Sequence, residues 1–158
     1  MGGANGAGTT RTGRGAPAPF AIETVQTARQ RDAWASVVPE EADAAERRLL
    51  RRLYRPQIAD ERVTAYLARV DGLPVTRAEL FSSAGLGRVE AVRTGAAHRG
   101  RGLAAAVVRQ AVRDALDRTN LTYLYAAPGS NAQRLYHRLG FRTVATKLIS
   151  AWAWHIQA

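Results

Sequence analysis

The stretch 98-HRGRGLAAAVVRQ-110 sets two glycines between two arginines and runs at once into an alanine-rich apolar segment. Such a run grips a phosphate, binds RNA as an arginine-glycine tract, or simply starts a helix. Its surroundings weigh these readings. Leu103, Ala104, Val107, Val108, Ala111, Val112, Ala115 and Leu116 recur at helical spacing, so residues 103–118 read as an amphipathic helix. Upstream, 88-RVEAVRT-94 reads as a strand. The glycines therefore join a strand to a helix. A helix N-terminus leaves amide N–H groups free and carries partial positive charge. Glycines let those amides approach an anion closely, and Arg99 and Arg101 add fork-shaped donors. This favours a diphosphate over RNA, because an RNA-binding tract is not expected to pass directly into an amphipathic helix. A Walker loop is excluded by the spacing, and a dinucleotide fingerprint by the antiparallel strands that precede.

Working outward, 20-FAIETVQT-27 alternates apolar and polar residues as a first strand, and residues 29–38 and 40–55 read as two helices, the second ended by Pro56. Its core, 46-ERRLLRRLYR-55, combines a stripe of Leu49, Leu50, Leu53 and Tyr54 with five arginines that read as a solvated face. The runs 63-VTAYLARV-70 and 75-VTRAELFS-82 flank Asp71-Gly72 and predict a hairpin, and a weaker turn within 82-SSAGLG-87 leads into the strand over 88–94. Downstream, 121-LTYLYAA-127 suits a buried central strand. The segment 130-SNAQ-133 predicts a capping box for a helix over 131–139 that stops at Gly140, and 141-FRTVATKLISAWAW-154 is strand-like. The order is strand, two helices, three antiparallel strands, helix, strand, helix, strand. The expected fold class is α+β: a mixed, mostly antiparallel central sheet between helical layers.

Composition bounds the function. No cysteine is present, so disulfides and thiolate metal sites are excluded, and His98, His137 and His155 lack metal-ligand spacing. No apolar run approaches the roughly 20 residues of a membrane span. Residues 1–19, six of them glycine, are read as a disordered Gly/Arg-rich tail with no secretory h-region; residues 20–158 are read as one domain, cytoplasmic by default. The net charge of +10 attracts phosphates or reflects compositional bias, since only Lys147 among the basic residues is not arginine.

Two motifs together resemble the GNAT superfamily of N-acetyltransferases. Arg99-Gly100-Arg101-Gly102-Leu103-Ala104 is similar to the family's Gln/Arg-x-x-Gly-x-Gly/Ala signature after a strand, and Asn131 followed by 135-LYHRLGF-141 is similar to its second motif. The resemblance covers roughly residues 20–154, and the element order agrees. It implies acetyl-CoA as cosubstrate without a metal, and a primary amine, on a small molecule or peptide, as acceptor. Val92, Arg93 and Thr94 would hold the pantetheine arm and polarise the acetyl carbonyl through their backbone. Arg99, Gly100, Arg101, Gly102, Leu103 and Ala104 would cradle the pyrophosphate, with Asn131 contacting the cosubstrate from the facing helix. Tyr136 would protonate the leaving thiolate as general acid; its plain alternative is packing on the sheet beside Ala132, Leu135 and Leu139.

A general base is less legible. Glu90 shares the strand face of Val92 and could order a water that deprotonates the amine, or could pair with Arg77 or Arg88; Glu79 on the neighbouring strand is the second candidate. The loop 95-GAA-97 lacks the proline usual in the family, and residues 141–158 barely allow a hairpin. One long strand completed by a partner subunit, hence a homodimer, is the other reading. The charge would suit an anionic acceptor. A non-catalytic acyl-CoA sensor is the alternative to an enzyme; a basic nucleic-acid-binding module ranks below both, lacking a recognition helix or an aromatic RNA-binding signature.

Overall fold

The structure, a computed structural model, describes residues 20–146. Strands β1 (Phe20–Thr24), β2 (Val63–Val70), β3 (Leu73–Ser83), β4 (Leu86–Thr94) and β5 (Leu121–Tyr123) form one sheet in that order. The first four are antiparallel neighbours, and β5 runs parallel to β4. Helices α1 (Ala28–Ser36) and α2 (Ala44–Gln57) follow β1; α3 (Leu103–Leu116) connects β4 to β5, and α4 (Asn131–Arg138) comes last. This is the mixed, mostly antiparallel sheet between helices that the pattern predicts.

Both hairpins close on two-residue turns with positive φ at each position: Asp71 and Gly72 at 50° and 77°, Ala84 and Gly85 at 50° and 75°. Those angles match the right-handed strand twist, which is why Asp-Gly is so readable a signal and Ala-Gly a weaker one. The alternation of β2 then divides the core. Ala65 and Leu67 pack with Trp34, Ala35, Val37 and Ile58 under α1 and the end of α2. Tyr66 and Ala68 face the other way, against Val107, Val108, Ala111 and Ala115 of α3 and Tyr136 of α4. Each fully buried Val, Leu or Ile side chain among them contributes about 1.5–3 kcal/mol. The Tyr66 hydroxyl, drawn into this layer, donates to Asp114 Oδ2 at 2.8 Å, so its burial leaves no orphan donor.

Several elements differ from expectation. Helix α2 continues through Pro56 to Gln57; a proline in the last turn removes one intrahelical bond, and Ile58 N still donates to Tyr54 O at 3.3 Å. Its apolar stripe is only half covered: Leu49 and Leu53 are 52% and 59% exposed, and no residue of α2 is buried. Ser130 accepts from Gln133 N as predicted, but Gln133 Oε1 reaches past it to Gly129 N at 2.8 Å. The reciprocal capping box lies instead at Thr27 and Gln30. Strand β5 is short and at the edge of the described sheet, not central, because its pairing with β4 stops at Tyr123. Residues 141–146 carry no regular structure. The expected tail over 1–19 and the greater part of the expected last strand, from 147 onward, lie outside the described residues. Among those described, no helix is long and apolar enough to cross a membrane.

Candidate active site

The site begins with an irregularity in β4. Arg77 pairs with Arg93 and Glu79 with Glu90, so Ala91 and Val92 share the space opposite Ala78 alone. That is a β-bulge, and Ala91 adopts φ 53° to make it. The extra residue stands outside the ladder, and its backbone groups are turned from the neighbouring strand. The carbonyl of Ala78, which has no register partner on β4, accepts from Trp34 Nε1 at 3.0 Å. On its other edge, β4 pairs with β5 only from Leu86 to Arg88. From Val89 to Thr94 it has no strand partner on that side among the described residues, and the two parallel strands part. Val92, Arg93 and Thr94 lie along this gap.

The chain then turns through a 3-10 turn, Ala96–His98, into the glycine-arginine loop. Gly100 and Gly102 both have positive φ, 74° and 79°, and a Cβ on either would meet nothing within 4 Å. They bound open space, not a packed interior. Gly102 is the N-cap of α3 and supplies no side-chain cap; the first bond into the helix is Ala106 N to Gly102 O at 3.0 Å. The amides of Leu103, Ala104 and Ala105 are therefore the helix's free N-terminal donors. Leu103 is anchored in the core with Val70 and Val75, which fixes the helix end against the sheet. Arg101 Nη1 donates to His98 Nδ1 at 3.0 Å. Arg99 Nε donates to Thr94 O at 3.2 Å, and its guanidinium lies 3.8 Å from Glu40 Oε2. A phosphate here would compete with Glu40 for Arg99.

Tyr136 is buried in the α3–α4 layer, edge-on to Phe141 with ring centroids 6.1 Å apart. Burial raises its phenol above the usual tyrosine range, so it stays protonated at neutral pH. Packing and proton donation are compatible here. Asn131 starts α4 and is exposed, its Oδ1 accepting from Arg134 Nη2.

On the opposite sheet face, covered by α1 and α2, Glu79 is fully buried while the Glu90 side chain is 32% exposed; Glu90 does not share the face of Val92 as expected, because the bulge turns Val92 to the α3 layer. Glu90 Oε1 accepts from Arg88 Nη2 at 2.7 Å, which is the ion pair weighed from sequence; Arg77 is not its partner. Gln57 Nε2 donates to Glu79 Oε1. Burial, then the Glu90 charge, push Glu79 up to about 7. Arg77, also buried, is held between the rings of Trp34 and Tyr54 at 4.5 and 4.0 Å from their centroids. Burial lowers its pKa.

No local pattern in the sequence marks Glu40, Gln57, Trp34 or the conformation of Ala91. Glu40 caps the Ala96 amide across a long loop, and Gln57 and Trp34 reach β3 from other elements. Only the expectation that a charged strand residue needs a partner would have flagged Gln57. Among the described residues no cluster of His, Asp and Glu has the form of a metal site.

A sheet parted beside a bulged strand thus lies next to an open, glycine-lined helix terminus. The model of the acetyltransferase (GNAT) family matches residues 28–141, and the chain belongs to that family; it is an acyltransferase. The fold is similar to a ribosomal-protein-alanine N-acetyltransferase from Brucella melitensis biovar Abortus 2308, with 20% identity, TM-score 0.68, and 85% of this chain and 100% of that one covered. It is similar to an aminoglycoside N-acetyltransferase in complex with CoA, at 12% identity and TM-score 0.70 over 85% and 95% of the chains. A third similar structure is a predicted acetyltransferase with acetyl-CoA from Clostridium acetobutylicum, at 14% identity and TM-score 0.62 over 84% and 96%. No curated protein sequence matches the chain.

Proposed function

We propose that this chain transfers the acetyl group of acetyl-CoA to a primary amine by direct attack. The observation that carries the reading is the open gap along Val92–Thr94, which leads into a cradle whose two glycines have nothing above them. That cradle fits a diphosphate: positive φ at Gly100 and Gly102 and the free α3 amides suit an anion, and Arg101 adds a positive charge. Solved relatives named as bound to CoA or acetyl-CoA support the same cosubstrate.

When bound, acetyl-CoA supplies a thioester carbonyl already activated for attack. The chain's residues do the rest. Arg99, Gly100, Arg101, Gly102, Leu103 and Ala104 hold the pyrophosphate, and Asn131 approaches from α4. Backbone N–H groups of Val92, Arg93 and Thr94 hold the pantetheine arm and donate to the acetyl oxygen as it becomes an oxyanion. Glu90, through a water, takes a proton from the acceptor nitrogen. Tyr136 gives its hydroxyl proton to the sulfur as the C–S bond breaks. No metal enters this scheme. The acceptor is a small molecule or a peptide; the relatives' names cover a ribosomal protein, an aminoglycoside and glucosamine-6-phosphate, so the shared fold does not choose among them.

Isothermal titration with acetyl-CoA tests the donor. Saturable heat with folded protein is expected, and none at high micromolar donor would sink the proposal. A panel of peptides, aminoglycosides and simple amines tests the acceptor. Binding without transfer to any of them would favour the acyl-CoA sensor.

A further inference from the structure

We propose that Glu79 and Glu90 work as a carboxyl pair in which Glu79 is a positioning residue, holding the proton that the acceptor nitrogen gives up to Glu90. The destination of that proton rests on the acetyl-transfer reading above; the pair itself does not.

The geometry is cross-strand. Glu79 and Glu90 are register partners beside the Ala91 bulge, so their Cβ atoms lie roughly 5 Å apart on one sheet face. Cross-strand partners at that spacing carry their carboxyl groups side by side on the face covered by α1 and α2. One is reachable and the other is not: Glu90 meets solvent and Glu79 has no exposed surface. Each is tethered on its far side, Glu79 Oε1 by Gln57 Nε2 and Glu90 Oε1 by Arg88 Nη2. Glu79 Oε2 is buried and has no donor. Two carboxylates have no hydrogen to share, whereas one proton between them makes an O–H···O bond and gives that orphan oxygen its partner.

The surrounding groups decide where the proton rests. Arg88 neutralises Glu90 and is itself flanked by Tyr123 of β5. Arg77 lies two residues along the strand from Glu79, with Arg93 opposite it and Tyr54 of α2 against its guanidinium. Gln57 and Arg77 favour the Glu79 anion but do not overcome burial and the Glu90 charge, so the last proton leaves near neutrality.

The chemistry balances. An ammonium loses two protons on its way to an amide. In the first loss an N–H bond breaks, its electron pair stays on nitrogen, and an O–H bond forms on Glu90 by way of water. The proton then moves across the pair to Glu79. The second N–H bond breaks as the C–S bond does; that proton passes through water to the Tyr136 phenolate left when Tyr136 protonates the sulfur, so nothing is oxidised or reduced. Glu90 thus returns to its anionic form with its tether to Arg88 intact.

Carbon NMR of protein labelled at the glutamate carboxyl carbons, titrated without donor or acceptor, tests the pair. One resonance is expected to titrate at about 7, to vanish in Glu79→Gln, and to move to lower pH in Glu90→Gln. Titration of every glutamate in the ordinary carboxylate range would overturn the pair. The role in transfer is read from pH profiles of kcat/KM with the fastest amine of the panel. In Glu79→Gln, an isosteric change that keeps the bond to Gln57, the acid limb is displaced and kcat falls ~10-fold or more, while the acetyl-CoA Kd is unchanged. An unmoved profile overturns that role, as does a folded, donor-binding wild type that acetylates no amine. Failure of the donor reading shows separately, as absent acetyl-CoA heat with the NMR step intact.

Discussion

At the scale of single residues, burial sets how much a side chain matters. Trp34 has no exposed surface, closes over Arg77, and gives its indole N–H to the carbonyl of Ala78, which has no β4 register partner at the bulge. Trp34→Phe keeps most of the ring volume and removes the donor, leaving Ala78 O buried and unpaired. A loss of ~1–3 kcal/mol is expected in urea unfolding; an unchanged midpoint would mean the bulge is stable without it. Glu79 gives a second prediction through pH. Its folded pKa, about 7, lies above the ordinary glutamate value of 4.5. The folded state therefore holds the proton more tightly, and the stability this contributes is present below the lower value and lost as pH rises through the higher. Relative to wild type, Glu79→Gln should become progressively more stable between those two values and level off above. Parallel unfolding series across that window check this, and a constant difference would contradict it.

At the scale of elements, the loop before α3 separates backbone strain from binding. Gly102 and Gly72 have nearly the same φ, 79° and 77°, and both have open space where a Cβ would go. Alanine at either position should cost about 1–2 kcal/mol of stability. Only at Gly102 does the new methyl enter the cradle, so Gly102→Ala should also weaken acetyl-CoA by ~10-fold or more, near 1.4 kcal/mol, while Gly72→Ala leaves donor affinity alone. Equal affinities in titration calorimetry would remove the loop from the donor site. The contrast also marks what was legible. Gly100 and Gly102 were readable because glycine before an apolar helix has few other uses, and Asp71-Gly72 because the turn demands it. The apolar spacing of α3 and α4 located the layers. The bulge was not readable, since Ala91 is an ordinary strand residue whose φ of 53° follows from register across two strands. The edge position of β5 was hidden for a similar reason: 121-LTYLYAA-127 has the composition of a buried strand, but where two strands part is a property of the sheet. Glu79 and Glu90 were visible as carboxyls on adjacent strands; their unequal burial depends on α1 and α2, above all on Gln57.

At the scale of the whole molecule, the net charge of +10 is a poor guide to the site. The acidic groups Glu40, Glu79 and Glu90 sit near the loop and the bulge, Glu40 and Glu90 each against an arginine, so the local field differs from the global sum. Arg51 and Arg52 lie exposed on α2, across the sheet from the α3 cradle. At physiological salt the Debye length of about 8 Å screens exposed charges on the far face of the sheet. They should therefore add little to donor affinity there. Arg101, beside the glycines, should contribute directly and as a fork-shaped donor. The expected pattern is specific. Arg101→Ala weakens acetyl-CoA binding and flattens its salt dependence, because a directly paired charge is gone. The double change Arg51→Ala with Arg52→Ala leaves the physiological-salt Kd within about twofold and separates from wild type only at low ionic strength, where the Debye length reaches about 30 Å. Titrations from about 0.01 to about 0.5 M salt distinguish the two. If the α2 variant instead lost donor affinity at physiological salt as strongly as Arg101→Ala, donor binding would be a response to total charge, and the cradle would lose its claim to the pyrophosphate.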